Sequence, residues 1–395
     1  MLYKRIISDK LYQLAQNFPA VVLTGARQVG KTTLLKEMFP DHSYVSLDSY
    51  QNADLAENNP QRFLSQFPRP VVIDEVQYAP KLFRHLKQVI DNDRGRKGQF
   101  ILTGSQKFVL MKEVSDSLAG RVALLELEGL CSMELGLDLD KTLNSNSSEY
   151  VLARGMFPEL WEDQEIPQLD YYRGYLSTYI ERDVRQILNV SSLRDFDRFM
   201  RAAAARNGQL LNKTELGKDV GVTTKTINDW ISVLEASNQV TLLEPYFTNL
   251  NKRLVKSPRL YFNDTGLLCY LLGLNQEALK TFSGTGFIWE TYVLSELRKL
   301  KEVYAPQASL WFYRDAQGVE VDLILDLDGM LDLIEIKWTE LVTAKHEQNM
   351  IKVESFLKKK VRSKSIIARA AQTSVTKAGT NVLDGYHLKE NLFTR

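Results

Sequence analysis

Short apolar runs at Ala20 to Leu23, Tyr44 to Leu47, Val71 to Ile73, Phe100 to Leu102 and Val122 to Leu127 alternate with helical patterns through about residue 135. That rhythm predicts a parallel sheet sandwiched by helices. The polar run Lys141 to Glu149 then reads as a surface loop. From Leu169 to about Ala205 the spacing is helical throughout, which predicts a connector. Two short helical segments, Lys213 to Val220 and Thr223 to Leu234, surround Gly221 like a helix-turn-helix. Ile227, Trp230, Ile231 and Leu234 fall on the inward face of the second, and Thr224, Lys225 and Asn228 on its polar side. The apolar segments Val240 to Leu243 and Leu260 to Phe262 flank Asn251-Lys252-Arg253 and Lys256, as strands flank the tip of a wing. From Gly286 onward a helix, two strands and further helices are predicted.

The first apolar run leads directly into Gly25-Ala26-Arg27-Gln28-Val29-Gly30-Lys31-Thr32, followed by Thr33 and a helical pattern. Glycines at these positions let backbone N–H groups turn inward around phosphate oxygens, at a helix N-terminus that already favours anions. Lys31 is then the residue for the β and γ phosphates, and the Thr32 hydroxyl a ligand for Mg²⁺. Asp74 ends the third run, placed to hold the metal, and Glu75 follows it, placed to polarise an attacking water. Thr103 and Ser105 end the fourth run, at the edge where sheets of this kind bind ligands; a plain strand-ending turn is the alternative.

A second constellation lies near the end of the chain. Asp328-Gly329 between alternating apolar runs predicts a two-residue type I′ hairpin that pairs Leu327 with Met330. Continuing that register sets Asp322 opposite Glu335 and Glu320 opposite Lys337, all on one face. Facing carboxylates cost about 0.2–1 kcal/mol unless something positive lies between them. Glu290 falls on the apolar side of a predicted helix, with Val293, Leu294 and Leu297, and needs a partner there. Asp322, Glu335 and Glu290 are therefore candidate metal ligands, with Lys337 orienting a water or stabilising charge. A purely structural hairpin, joined by a Glu320–Lys337 ion pair, is the alternative.

Charge changes this picture little. The formal balance is +1, but residues 345–395 hold eleven Lys and Arg against four Asp and Glu. Such an end suits a phosphate-rich partner, although solvated helix faces give the same count. Cys131 and Cys269 fit no disulfide or zinc spacing and read as buried apolar residues. There is no 18-residue apolar run and no cleavable leader pattern, so the expected compartment is the cytoplasm, without membrane contact.

The stretches Leu23 to Leu34, Tyr44 to Asp48, Val72 to Gln77, Ile101 to Ser105 and Ser117 to Arg121 together resemble the prokaryotic AAA-family ATPases that carry a C-terminal domain of unknown function. Gly155 to Glu159, Tyr179 to Val184, and Tyr313-Arg-Asp, Val319 to Asp322 and Ile334 to Lys337 extend the resemblance over nearly the whole chain. Met156 departs from it, standing where the family commonly has a second glycine. The resemblance implies an additional-strand AAA+ ATPase using ATP and Mg²⁺. It also implies a homo-oligomer, a ring being one form, in which an arginine of a neighbouring subunit completes the site. Arg121 is the candidate, with Arg182 or Arg185 as alternatives. Acid on a helix, Asp on a strand and Glu-x-Lys on the next is similar to the PD-(D/E)XK nuclease superfamily.

The expected fold class is thus α/β: a P-loop parallel-sheet ATPase domain at 1–137, a helical connector or lid at 138–208, a winged-helix-like domain at 209–265 and a restriction-endonuclease-like α/β domain at 266–395. The expected function is ATP binding and hydrolysis coupled to DNA binding or metal-dependent nucleic-acid processing. The alternative is an ATP-dependent switch with a catalytically silent nuclease-like domain.

Overall fold

The computed structural model describes residues 3–105, 117–137, 147–179, 193–246, 256–357 and 359–393. Two compact units are present: 1–130 with 157–162 and 236–238, and 131–156 with 163–235 and 239–395.

The first unit is built on strands β1 (Ala20–Thr24), β2 (Ser43–Ser46), β3 (Val71–Asp74), β4 (Phe100–Gly104) and β5 (Val122–Glu126), all paired in parallel in the order β2-β3-β4-β1-β5. The predicted runs thus became strands, and β4 stands as an added strand between β1 and β3. Continuous burial of β1, β3 and β4 follows from their uninterrupted apolar sequences, because helices cover both faces of a parallel sheet. Edge strand β5 alternates instead. The helix Leu82–Asn92 buries Leu82, Phe83, Leu86 and Ile90 at helical spacing, each contributing about 1.5–3 kcal/mol. Parallel strands all end at one sheet edge, so the loop after β1 and the last residues of β3 and β4 converge there.

In the second unit, the helix Leu193–Ala204 precedes the helices Lys213–Val220 and Thr224–Ala236. Asn212 caps the middle one by accepting from the Glu215 N–H, and Gly221 ends it. Strands β6 (Val240–Leu243) and β7 (Arg259–Phe262) follow as an antiparallel pair. After the helix Ser148–Arg154, the turn at Gly155 and Met156 is held by one half-buried acid. Asp264 accepts from the Met156 N–H at 2.7 Å, the Leu267 N–H at 2.8 Å and the Tyr172 hydroxyl at 2.7 Å. Gly155 adopts φ 71°, and a Cβ on it would lie 2.1 Å from the Tyr172 hydroxyl oxygen. Only glycine fits both demands.

The helix Thr285–Tyr304 opens the C-terminal region and is followed, among the described residues, by six strands, of which it packs against the third: β8 (Ser309–Arg314), β9 (Glu320–Leu327), β10 (Met330–Ile336), β11 (Val361–Ala368), β12 (Ser374–Val375) and β13 (Asn381–Asp384). Their order is β12-β13-β11-β10-β9-β8, with β8, β9 and β10 antiparallel and β11 parallel to β10. The expectation of two strands is therefore corrected to six. In β11 the alternating Arg362 and Lys364 disguised a strand as a solvated run; they pair with Asp332 and Glu354. The hairpin register holds from Met330↔Leu327 to Ile334↔Leu323, with Asp328 at φ 52° and Gly329 at φ 79°.

Candidate functional site

The loop from Gly25 to Gly30 leaves β1 and enters the helix Lys31–Met38. Gly25 has φ 148°, and a Cβ there would lie 2.1 Å from the Leu127 carbonyl oxygen, so the loop can turn only with glycine at this position. Gln28 and Gly30 also have positive φ, at 62° and 93°. Ala26 and Val29 are buried, Arg27 half-buried, and Gln28 and Thr33 exposed. The buried Lys31 ammonium donates to the Gly25 carbonyl at 2.9 Å and the Ala26 carbonyl at 2.8 Å.

Asp74, at the end of β3, is reached by hydroxyls from three other elements. Thr32 and Tyr44 donate to its Oδ2 at 2.7 and 2.8 Å, and Thr103 donates to Oδ1. Burial, then the Asp74 carboxylate, raises the Tyr44 phenol pKa well above the usual value, so it remains a donor. Glu75 adopts φ 55°, a conformation uncommon for a residue with a side chain and frequent at functional sites. Gln77 donates to Glu75 Oε2, as do the Ser105 hydroxyl at 3.1 Å and the Ser105 N–H at 3.3 Å. Hydroxyls at the end of β4 and just beyond it thus hold the two acids, Thr103 on Asp74 and Ser105 on Glu75. A cation, a hydroxyl and a carboxylate beside a helix N-terminus fit a magnesium nucleotide by donor type and placement.

Sequence reasoning assigned no role to Tyr44 or Gln77, although both lie in stretches that carried the family resemblance. Arg121 donates to Asp91 of its own chain through Nε at 2.7 Å and Nη2 at 2.9 Å, and to the Ala119 carbonyl. Arg182 and Arg185 lie outside the described residues.

In the second unit Glu290, Asp322, Glu335 and Lys337 do come together. Lys337 Nζ donates to Asp322 Oδ2 at 2.9 Å and to Glu335 Oε2 at 2.5 Å, and the Ile336 N–H donates to Asp322 Oδ2 at 2.8 Å. The Glu320–Lys337 pair expected from register is not formed: Glu320 accepts instead from Arg259 and, at 3.0 Å, from Arg314. Arg259 also reaches Glu290 at 3.4 Å, and the Tyr261 hydroxyl donates to the same Glu290 oxygen. These β7 partners were invisible to a pattern search, because nothing in sequence spacing links residues 259 and 290.

Burial, and then the Asp322 charge, push Glu335 up to about 9 and Glu290 up to about 8. Burial opposes ionisation of Asp322 too, but Lys337 and its other donors hold its pKa below the usual value. Among the described residues no three His, Cys, Asp or Glu side chains form a group disposed to hold a metal ion. Lys337 bridges Asp322 and Glu335, while Arg259 and Tyr261 engage Glu290. The carboxylates suit a hard cation by type, and binding one requires these contacts to rearrange.

On the helix Thr224–Ala236, Ile227, Trp230, Ile231 and Leu234 are buried, Thr224 and Lys225 are exposed and Asn228 is half-buried. Lys256 is exposed, whereas Lys252 and Arg253 lie outside the described residues. Lys359, Arg362 and Lys364 from the basic end form ion pairs with Asp326, Asp332 and Glu354. Cys131 and Cys269 are buried free thiols. No helix among the described residues is long and apolar enough to cross a membrane.

The comparisons agree with the first site. Residues 17–136 match an AAA domain; residues 145–278 and 285–384 match two domains of unknown function, DUF8612 and DUF4143. The uncharacterized proteins Rv2008c of Mycobacterium tuberculosis and Mb2031c of Mycobacterium bovis are each 32% identical over 342 residues, spanning 86% of this chain and 75% of theirs. The chain belongs to the family of these mycobacterial proteins, and its first unit is an AAA-type P-loop domain. Among solved structures, the Walker-type ATPase PABY2304 of Pyrococcus abyssi is 16% identical with TM-score 0.46, covering 68% of this chain and 96% of that one. The RuvB Holliday junction branch migration motor of Thermotoga maritima is 16% identical with TM-score 0.32, covering 60% and 88%.

Proposed function

We propose that this chain binds ATP with Mg²⁺ at the Gly25–Thr32 loop and hydrolyses it, and that the nucleotide cycle governs nucleic-acid engagement by the second unit. The observation that carries this reading is the meeting of Lys31, Thr32, Asp74 and Glu75 at one sheet edge. Lys31 and the loop N–H groups bind and orient the phosphates; Thr32 and Asp74 hold the metal; Glu75, steadied by Gln77 and Ser105, aligns the water. Magnesium, when bound, supplies charge neutralisation on the phosphate oxygens. Arg121 of a neighbouring copy would complete the site after releasing Asp91. Lys31→Ala tests the core of the reading, since it removes nucleotide binding or turnover, and unchanged phosphate release would sink it.

For the second unit the preferred reading is a winged-helix-like segment that meets DNA through Thr224, Lys225 and Asn228, followed by a PD-(D/E)XK-like domain. A helix bearing Glu290, the meander β8-β9-β10 bearing Asp322 and Glu335, Lys337 just beyond it, a further helix and parallel β11 support this reading. Asp322→Ala should abolish Mg²⁺-dependent cleavage of nucleic acid while leaving ATP turnover intact. A second reading, an ATP-dependent switch with a silent nuclease-like domain, is favoured by the Lys337 bridge. Absence of cleavage under every metal and nucleotide condition would select it.

A further inference from the structure

Arg5 stands outside every motif of the nucleotide site, yet its guanidinium grips the phosphate loop. The residue is buried, 7% exposed. Its Nη1 donates to the Val29 carbonyl at 2.8 Å, and its Nη2 to the carbonyls of Glu128 at 2.7 Å and Gly129 at 3.1 Å. Val29 is the loop residue whose peptide leads into Gly30 and Lys31. Glu128 and Gly129 lie just beyond β5, the strand paired to β1. One planar fork therefore ties the loop to the backbone beside its own strand.

The C=O and N–H of a trans peptide point in opposite directions. Fixing the Val29 carbonyl toward Arg5 thus aims the Gly30 N–H the opposite way within the same peptide plane, away from Arg5, and this amide is among the donors such a loop offers a phosphate. A cation on the carbonyl also polarises the peptide and strengthens its N–H as a donor. Gly30 itself adopts φ 93°, and a Cβ on it would be in ordinary contact with Arg5 Nη1 at 3.6 Å and Pro158 Cγ at 3.9 Å.

We propose that Arg5 is a positioning residue of the nucleotide site, orienting the Val29–Gly30 peptide for phosphate binding from behind the loop. The assignment rests on the ATP reading above. Arg5 acts through the backbone, so its loss weakens nucleotide binding more than the chemical step.

The test is titration of the full chain with an N-methylanthraniloyl ATP analogue and Mg²⁺, for wild type, Arg5→Met and Arg5→Lys, with nucleotide-free thermal melts and steady-state kinetics alongside. Arg5→Met should raise Kd about tenfold, the scale of one lost charge-assisted hydrogen bond. KM should rise while kcat changes less. Arg5→Lys should recover part of the affinity, because an ammonium keeps the charge but not the fork. A folded Arg5→Met protein with wild-type affinity overturns the proposal. If Arg5→Met does not fold, Arg5→Lys decides: a severalfold rise in Kd supports the role and an unchanged Kd overturns it. Wild-type binding with unimpaired variants removes only the role of Arg5, whereas a wild-type chain that binds no nucleotide removes the ATP reading and this role together.

Discussion

Asp74 and Asp322 are both buried carboxylates on sheet strands, and they are held in opposite ways. Asp74 receives hydroxyls from Thr32, Tyr44 and Thr103. Asp322 receives the Lys337 ammonium, and the neighbouring Glu290 is reached by the Arg259 guanidinium. Hydroxyls fix the direction of a carboxylate and leave its charge in place, whereas a resident ammonium cancels that charge. An acid of the first kind is ready for a cation that arrives and leaves with a ligand. One of the second kind must exchange a cation it already has.

The sharpest way to break this contrast is Asp74→Asn, which keeps the size and removes the charge. Phosphate release at saturating MgATP should fall about a hundredfold, the scale on which a single electrostatic contact acts in a transition state. Activity within threefold of wild type would mean that Asp74 only packs. Next, Lys337→Met leaves Asp322 and Glu335 without their shared ammonium. Urea unfolding at pH 7.5 should show a loss of about 3 kcal/mol, the lower end for a broken buried pair because the Lys337 side chain is 32% exposed. Millimolar Mn²⁺ should restore part of it if a metal can take the ammonium's place.

A third measurement follows protons. Glu335 at about 9 and Glu290 at about 8 both retain protons at neutral pH, and a metal must displace them. Mn²⁺ affinity at this cluster should therefore rise with pH toward about 9 and level off above it. Calorimetry showing affinity independent of pH between 6 and 9 would place the ion elsewhere. The smallest effect is expected from Tyr44→Phe, which removes one of three hydroxyls from Asp74 at a cost of about 1 kcal/mol. The Mg²⁺ concentration for half-maximal ATP turnover should rise severalfold, and no change would show that Thr32 and Thr103 suffice.

The first unit was largely legible because its information is local. Glycines that must turn a loop lie beside the lysine they serve, and buried parallel strands announce themselves as apolar runs. The second unit hid more. Strand β11 carries charges on alternate positions because Asp332 and Glu354 await them, so its amphipathic pattern mimicked a solvated run. Hairpin counting set a register that holds from Met330↔Leu327 to Ile334↔Leu323, because the Asp328-Gly329 turn fixes it. It misplaced the partner of Glu320, since Arg259 enters from a strand distant in sequence. Arg5 offered no signal either: three carbonyls recruit it, and backbone acceptors leave no trace in side-chain patterns.

The turn at Gly155 and Met156 separates two kinds of evolutionary freedom. Asp264 uses only the N–H of Met156, so that contact does not depend on the side chain, and burial of the methionine confines its replacements to apolar residues. At Gly155 the Tyr172 hydroxyl occupies the space of any Cβ. Drift is confined to apolar residues at one position and closed at its neighbour, and a library randomised at both should return apolar diversity at 156 with glycine alone at 155.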